Sequence, residues 1–222
     1  TLNAHRINKG LVPKAPLGPE ESDFYLIEAE NPEDATQKVL QIVHRRIPQR
    51  FKINPTDIQV LCPMNKGSLG ARSMNIELQQ LLNPHSSLKV ERFGSTFCLG
   101  DKVMQILNNY DKDTYNGDIG FIKHIDPETK ELIIRFDERD VLYDFDELDE
   151  IVLAYATTIH KSQGSEYPAI VIPFMMQHYP MLKRNLLYTG VTRGKRLVVI
   201  VGQKKALFLA VKEKSTQSRW TK

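Results

Sequence analysis

Cysteine is scarce in this chain: Cys62 and Cys98 are the only two among 222 residues. Two are too few for a disulfide scaffold and lack metal-ligand spacing, so both read as small buried side chains. No apolar run approaches the roughly 18 residues that a membrane span needs. The start lacks the charged, apolar, small-residue order of a signal peptide. A soluble chain of the cytoplasm is expected, with no membrane partner. A phosphate-cradling GxxxxGK[ST] loop is also missing: Gly194-Lys195-Arg196 has no such context, and NKGSLG has the wrong order. No GxGxxG follows a first strand, which argues against a dinucleotide binder. The chain opens on Thr1 without an initiator methionine and reads as a piece of something longer.

What is present is ordinary globular composition, 41% hydrophobic, 26% charged and 8% aromatic. A formal charge of +3 is compatible with nucleic acid and decides nothing alone. DFYLIEAE (23–30) predicts a strand, and Asn31-Pro32-Glu33 a helix start, with an amphipathic stretch to about Phe51. DIQVLCPM (57–64) predicts a buried strand, then a glycine turn and a helix over ARSMNIELQQLL. From about Asp101 short runs alternate with NG and DPETK turns, which predicts a small antiparallel barrel over 101–150. After Glu150 the α/β rhythm resumes with IVLAYA, AIVIPFMM, a helix through KRNLLYTGVTRG, the strand LVVIVG and a helix from about Lys204. The expected organisation is one α/β domain, 1–100 with 151–214, interrupted by a barrel at 101–150, and a frayed tail at 215–222 that includes Trp220.

Two segments carry chemistry. ATTIHKSQGSEYPAIVI (156–172) places hydroxyls, an imidazole, a lysine, an amide, a glycine and a carboxylate in a crossover between two apolar strands, where open α/β sheets bind ligands. Thr157, Thr158, His160 and Lys161 offer donors for backbone phosphates; Gln163, Gly164 and Glu166 offer a close backbone approach and an acceptor for a sugar hydroxyl. A polar helix cap facing solvent would use the same residues. LLYTGVTRGKRLVVIVG (186–202) puts Arg193 at a helix end before a buried strand, where its guanidinium suits a phosphate or simply complements the helix terminus.

In this order and spacing the two segments resemble motifs V and VI of superfamily 1 DNA helicases, in particular the RecD-like (exodeoxyribonuclease V alpha-subunit) family. AHRINKG, VLCPMNKGSLGARSMNIELQQLLNP, GDKVMQILNNYDKDTYNGDIGFI, YATTIHKSQGSEYP and LLYTGVTRGKRL all look like that family's C-terminal blocks. The resemblance implies an α/β fold: a RecA-like parallel sheet of P-loop-NTPase type, acting as the second motor domain without a P-loop of its own, with an inserted Src-homology-3-like β-barrel. It implies Arg193 as the catalytic arginine finger on ATP, with Gln163, Gly164 and Glu166 beside the nucleotide. It implies Pro63, Met64, Asn65, Thr158, His160 and Lys161 facing single-stranded DNA. Where that family commonly has alanine after the motif VI arginine, this chain has Gly194, which leaves the guanidinium in place.

The implied function is part of an ATP-dependent DNA helicase, with roles in repair and recombination. ATP and Mg2+ would be its cofactors. Its partners would be single-stranded DNA, an N-terminal motor domain of the same parent chain and other exodeoxyribonuclease subunits. Because the Walker A loop and the Mg2+-holding Asp-Glu pair would lie in that N-terminal domain, the isolated chain is expected to hydrolyse no ATP. The competing reading is a nucleic-acid-binding module that works without ATP. Tyr110 and Tyr115 are candidates for stacking on bases or for packing in the barrel.

Overall fold

A computed structural model describes residues 2–15 and 22–213; the expected frayed tail and Trp220 lie outside the described residues. After a short helix α1 (Leu2–Asn8), strand β1 (Phe24–Glu28) is followed by helix α2 (Pro32–Gln41), a π turn (Ile42–Arg46) and α3 (Ile47–Phe51). This helical run starts where the sequence indicates, because the Asn31 side chain accepts the Asp34 N–H at 2.9 Å and Pro32 needs no partner for the N–H it lacks. Strand β2 (Ile58–Cys62) leads through the glycine loop to α4 (Ala71–Leu82). Strands β3 (Lys89–Arg92), β4 (Ser95–Cys98), β5 (Lys102–Gln105), β6 (Ile119–Asp126), β7 (Glu131–Phe136), β8 (Arg139–Asp144) and β9 (Ile151–Leu153) come next. The chain ends with β10 (Ala156–Thr158), β11 (Tyr167–Phe174), α5 (Arg184–Val191), β12 (Gly194–Gly202) and α6 (Lys204–Lys212).

The chain forms two compact units, one of residues 1–73 and 157–222, the other Met74–Ala156. In the first, a sheet has the order β1-β12-β11-β2-β10, and β1, β2 and β11 pair parallel with their neighbours. Every residue of β2 is buried, as are the last six of β12, because helices cover both faces of such a sheet. Ala35, Val39 and Ile47 of the helical run and Leu187, Ala206 and Ala210 of α5 and α6 are buried with them. Cys62 is the last residue of β2, and burial pushes its thiol well above the usual range.

The second unit holds a five-stranded antiparallel sheet, order β8-β7-β6-β5-β9, and a hairpin of β3 and β4. Here burial alternates along β7 and β8, with Leu132, Ile134, Val141 and Tyr143 inside. Among the described residues the strand pairings do not close a barrel. A six-residue 3-10 turn, Phe145–Glu150, links β8 to β9 and buries Phe145 and Leu148, so side chains and not a ladder fill the gap. Asp149 and Glu150 lie in this turn. Val90 and Phe97 of the hairpin share the same core, which is why the unit reaches upstream of residue 101.

Asp101 is the polar hub of this unit. Fully buried, it accepts bonds from Gln79 Nε2 at 2.5 Å, the Cys98 N–H at 2.6 Å, Asn83 Nδ2 at 2.8 Å and the Tyr155 hydroxyl at 2.9 Å. Burial pushes its carboxyl above the usual range against these four donors, each of which favours the ionised form. One expected strand is divided: IVLAYA pairs with β5 through Ile151–Leu153, and the chain joins the parallel sheet at β10. No helix among the described residues is long and apolar enough to cross a membrane.

Candidate functional site

The parallel sheet places the expected residues at its two ends. Tyr167 pairs with Gly194 where β11 and β12 begin, and Ala169 pairs with Ile58 where β2 begins. At the other end, the Ile159 N–H donates to the Cys62 carbonyl at 3.0 Å, so the segments after β2 and β10 emerge together. From Ile58 to Cys62 is a climb of about 13 Å at the usual rise of a strand.

At the strand starts, the two motifs meet. The Tyr167 N–H donates to the Arg193 carbonyl at 2.8 Å. The Arg193 guanidinium is half-buried and held through each of its nitrogens: Nη1 donates to the Ser165 carbonyl at 3.0 Å, Nε to the Thr189 carbonyl at 3.2 Å and Nη2 to Thr192 Oγ1 at 3.2 Å. Gly164 adopts φ +85°, a left-handed turn that a side chain would strain, and this turn carries the Ser165 carbonyl to the arginine. Glu166 and Lys195 face each other at 3.5 Å, both more than half exposed. Gln163 is exposed on the same loop, its N–H donating to the His160 carbonyl. Burial pushes the Tyr167 phenol up, with Arg193 pulling the other way.

At the strand ends, Thr158 Oγ1 accepts the Lys161 N–H at 3.3 Å and shapes a 3-10 turn (His160–Ser162) that leaves His160 and Lys161 exposed. Asn65 is exposed and Met64 half-buried, whereas Pro63 is buried and can present only its chain position. Thr157 is buried too, so its hydroxyl offers no donor to the surface. The Asn65–Gly70 loop is stitched to α4 by Ala71 N–H to Met64 O and Arg72 N–H to Asn65 O. Gly70 is required there: a Cβ would sit 2.5 Å from the Lys66 carbonyl.

The structure thus unites Gly164, Glu166 and Arg193, and separately Met64, Asn65, Thr158, His160 and Lys161. Sequence reasoning did not identify Ser165, Thr189 or Thr192. The hydroxyl next to the arginine was a usable signal, since Ser and Thr at helix ends bond to nearby backbone.

Residues 74–136 match the family model described as the SH3 domain of ATP-dependent RecD-like DNA helicases, and residues 153–201 that of the UvrD-like helicase C-terminal domain. The chain is 37% identical over 142 residues to the ATP-dependent RecD2 DNA helicase of Deinococcus radiodurans, covering 64% of this chain and 19% of that protein. It is 31% identical over 163 residues to the RecBCD enzyme subunit RecD of Buchnera aphidicola subsp. Acyrthosiphon pisum, covering 71% and 26%. It therefore spans about a fifth to a quarter of the length of these relatives. In fold it resembles the Pif1 helicase from Bacteroides, solved in complex with ADP-AlF3 and ssDNA, at TM-score 0.56 and 15% identity, over 96% of this chain and 50% of that one. The chain is RecD-like: its small unit carries the SH3 domain of that helicase family, and the segment after it a UvrD-like helicase C-terminal domain.

Proposed function

We propose that the chain is the C-terminal motor region of an ATP-dependent DNA helicase, with Arg193 as the arginine finger and the Pro63–Asn65 and Thr158–Lys161 segments as part of a single-stranded DNA groove. The observation that carries this reading is the separation of the two groups to opposite ends of one sheet. Open α/β sheets hold their own ligands at the carboxyl ends of the strands. Arg193, at the starts of β11 and β12, is outside that crevice, as befits a donor to a nucleotide that another domain holds.

The residues present fit that part and no more. Three of the five guanidinium N–H groups are taken by Ser165, Thr189 and Thr192, leaving one on each terminal nitrogen without a partner among the described residues. Two such N–H groups are what a phosphate accepts in parallel. Bound ATP would contribute the phosphoryl group whose transfer to water drives movement, with charge building on oxygens that Arg193 is placed to offset. Gly164 and Glu166 would line the nucleotide's edge. No group of three or more His, Cys, Asp or Glu among the described residues could hold a metal ion, so Mg2+ would be held by the N-terminal motor domain. In this reading the antiparallel unit is an insertion in the motor domain. The longer protein would act in the cytoplasm in DNA repair and recombination, alone or with other exodeoxyribonuclease subunits.

The test is Arg193→Ala in the longer protein that joins this chain to an ATP-binding domain. Turnover stimulated by single-stranded DNA should fall at least about 1,000-fold while ATP binding persists. Unchanged turnover would remove Arg193 as the finger, and binding of single strands with no ATP turnover in the unsubstituted longer protein would favour the ATP-independent binding module.

A further inference from the structure

Thr192 is well placed to govern the arginine. It closes α5 in helical geometry, φ −72° and ψ −8°, with its N–H bonded to the Tyr188 carbonyl at 3.0 Å. Its hydroxyl has two partners. Oγ1 donates to the Thr189 carbonyl at 2.9 Å and accepts from Arg193 Nη2 at 3.2 Å. The Thr189 carbonyl also accepts Arg193 Nε at 3.2 Å. The two side chains and one carbonyl therefore close a small ring of bonds. The proton of the hydroxyl is committed to Thr189, which leaves its lone pairs facing the guanidinium.

The opposite edge of the guanidinium is fixed by Nη1 to the Ser165 carbonyl, 28 residues away in sequence. An arginine side chain loses much of its rotamer freedom when it is ordered. Here the chain bears that cost before any ligand arrives. The bonds also select which N–H groups stay open, one on each terminal nitrogen.

We propose that Thr192 is a positioning residue: its hydroxyl holds the Arg193 fork in the orientation that presents its open terminal N–H groups to an anion. The orientation itself is a property of this chain; its use on a nucleotide phosphate rests on the finger reading above. A serine preserves the ring. A valine keeps the shape and removes both the donor and the acceptor.

The decisive measurement is nuclear magnetic resonance on the 15N-labelled 222-residue chain, following solvent exchange at Arg193 Nε–H, with inorganic phosphate as the anion probe. Exchange should quicken about tenfold or more in Thr192→Val and stay near wild type in Thr192→Ser, with the Leu187 and Thr192 backbone amides unchanged in both. Phosphate should shift the Nε resonance less in Thr192→Val than in wild type. Equal exchange in wild type and Thr192→Val overturns the proposal, whatever the turnover. In the longer protein Thr192→Val should lower kcat about tenfold or more at little changed KM for ATP, and Thr192→Ser should restore it. A quickened exchange in Thr192→Val with Arg193→Ala fully active would sustain the positioning role and remove the finger reading alone.

Discussion

The two units meet water differently and carry opposite charge. In the parallel sheet, burial runs without interruption along β2 and most of β11 and β12; in the antiparallel sheet it alternates along β7 and β8. Residues 74–156 hold 8 of the chain's 30 Lys and Arg but 17 of its 27 Asp and Glu, so their formal charge is −9 against +12 for the rest. The modest total of +3 conceals this division. Counterion release makes Lys and Arg the source of affinity for a phosphate backbone, so this division of charge agrees with the proposed DNA groove on the parallel-sheet unit. Tyr110 and Tyr115 sit on the acidic unit. They are 77% and 43% exposed and pack edge to face on each other, and the Tyr115 hydroxyl donates to Asp113. They are not core packing.

The largest effect should come from Arg193→Ala, the loss of at least about 1,000-fold in ATP turnover given above. It locates the chemistry in the basic unit, and persistence of turnover would erase that half of the contrast. Next, Asp101→Ala should cost the acidic unit roughly 3 to 5 kcal/mol, because it strands four donors around a buried position, the buried Tyr155 hydroxyl among them. Hydrogen exchange of β6 and β7 amides during urea titration would read this. A cost below about 1 kcal/mol would mean that the apolar core alone defines the unit.

The parallel-sheet unit has its own buried titratable group. His178 is 2% exposed, its Nδ1 accepts the Met175 N–H at 3.1 Å, and burial lowers its pKa to about 4. The folded value lies below the ordinary 6.5, so between about pH 6.5 and 4 the unfolded chain binds the extra proton. Stability is therefore fully present above that window and falls as pH drops through it, by about 3 kcal/mol. Denaturation midpoints from pH 7 to 4 should show the fall, and His178→Asn, which keeps an acceptor, should flatten it. An equal slope in both proteins would assign the acid sensitivity elsewhere.

The smallest effect sharpens the charge contrast. In the longer protein, Lys161→Ala should reduce the salt dependence of single-strand binding by about one unit of slope, across all sequences. Replacing Asp111 and Glu138 of the acidic unit by their amides should leave that slope unchanged. A strong sequence preference, or the reverse ranking of the two variants, would put the strand on the other unit.

Much of the fold was legible because local rules and burial agree in particular places. Asn31 and Pro32 fix a helix start by capping chemistry alone, and ARSMNIELQQLL forms α4 over its whole length. The break in IVLAYA was not legible: no Gly, Pro or Asx marks it, and only pairing with β5 on one side and entry into the parallel sheet on the other divides the run. Nor did the sequence show that Val90 and Phe97 belong to the second core, since an isolated short hairpin carries no local sign of what it packs on. At the site, the residue types and spacing of 156–172 and 186–202 were enough to single out Arg193, Gly164 and Glu166. Which of them touch was not.

By itself, then, the sequence determined the alternation of helices and strands, the glycine turns, the charge of each segment and the two chemistry-bearing motifs. All of these depend on residues within a few positions of one another. Only the tertiary structure decided that Arg193 faces the Ser165 carbonyl, that Thr157 and Pro63 turn inward, and that the two groups of polar residues occupy opposite ends of one sheet. Strand order and register join residues tens of positions apart, and those pairings follow from how whole strands bury their side chains, which no local pattern encodes.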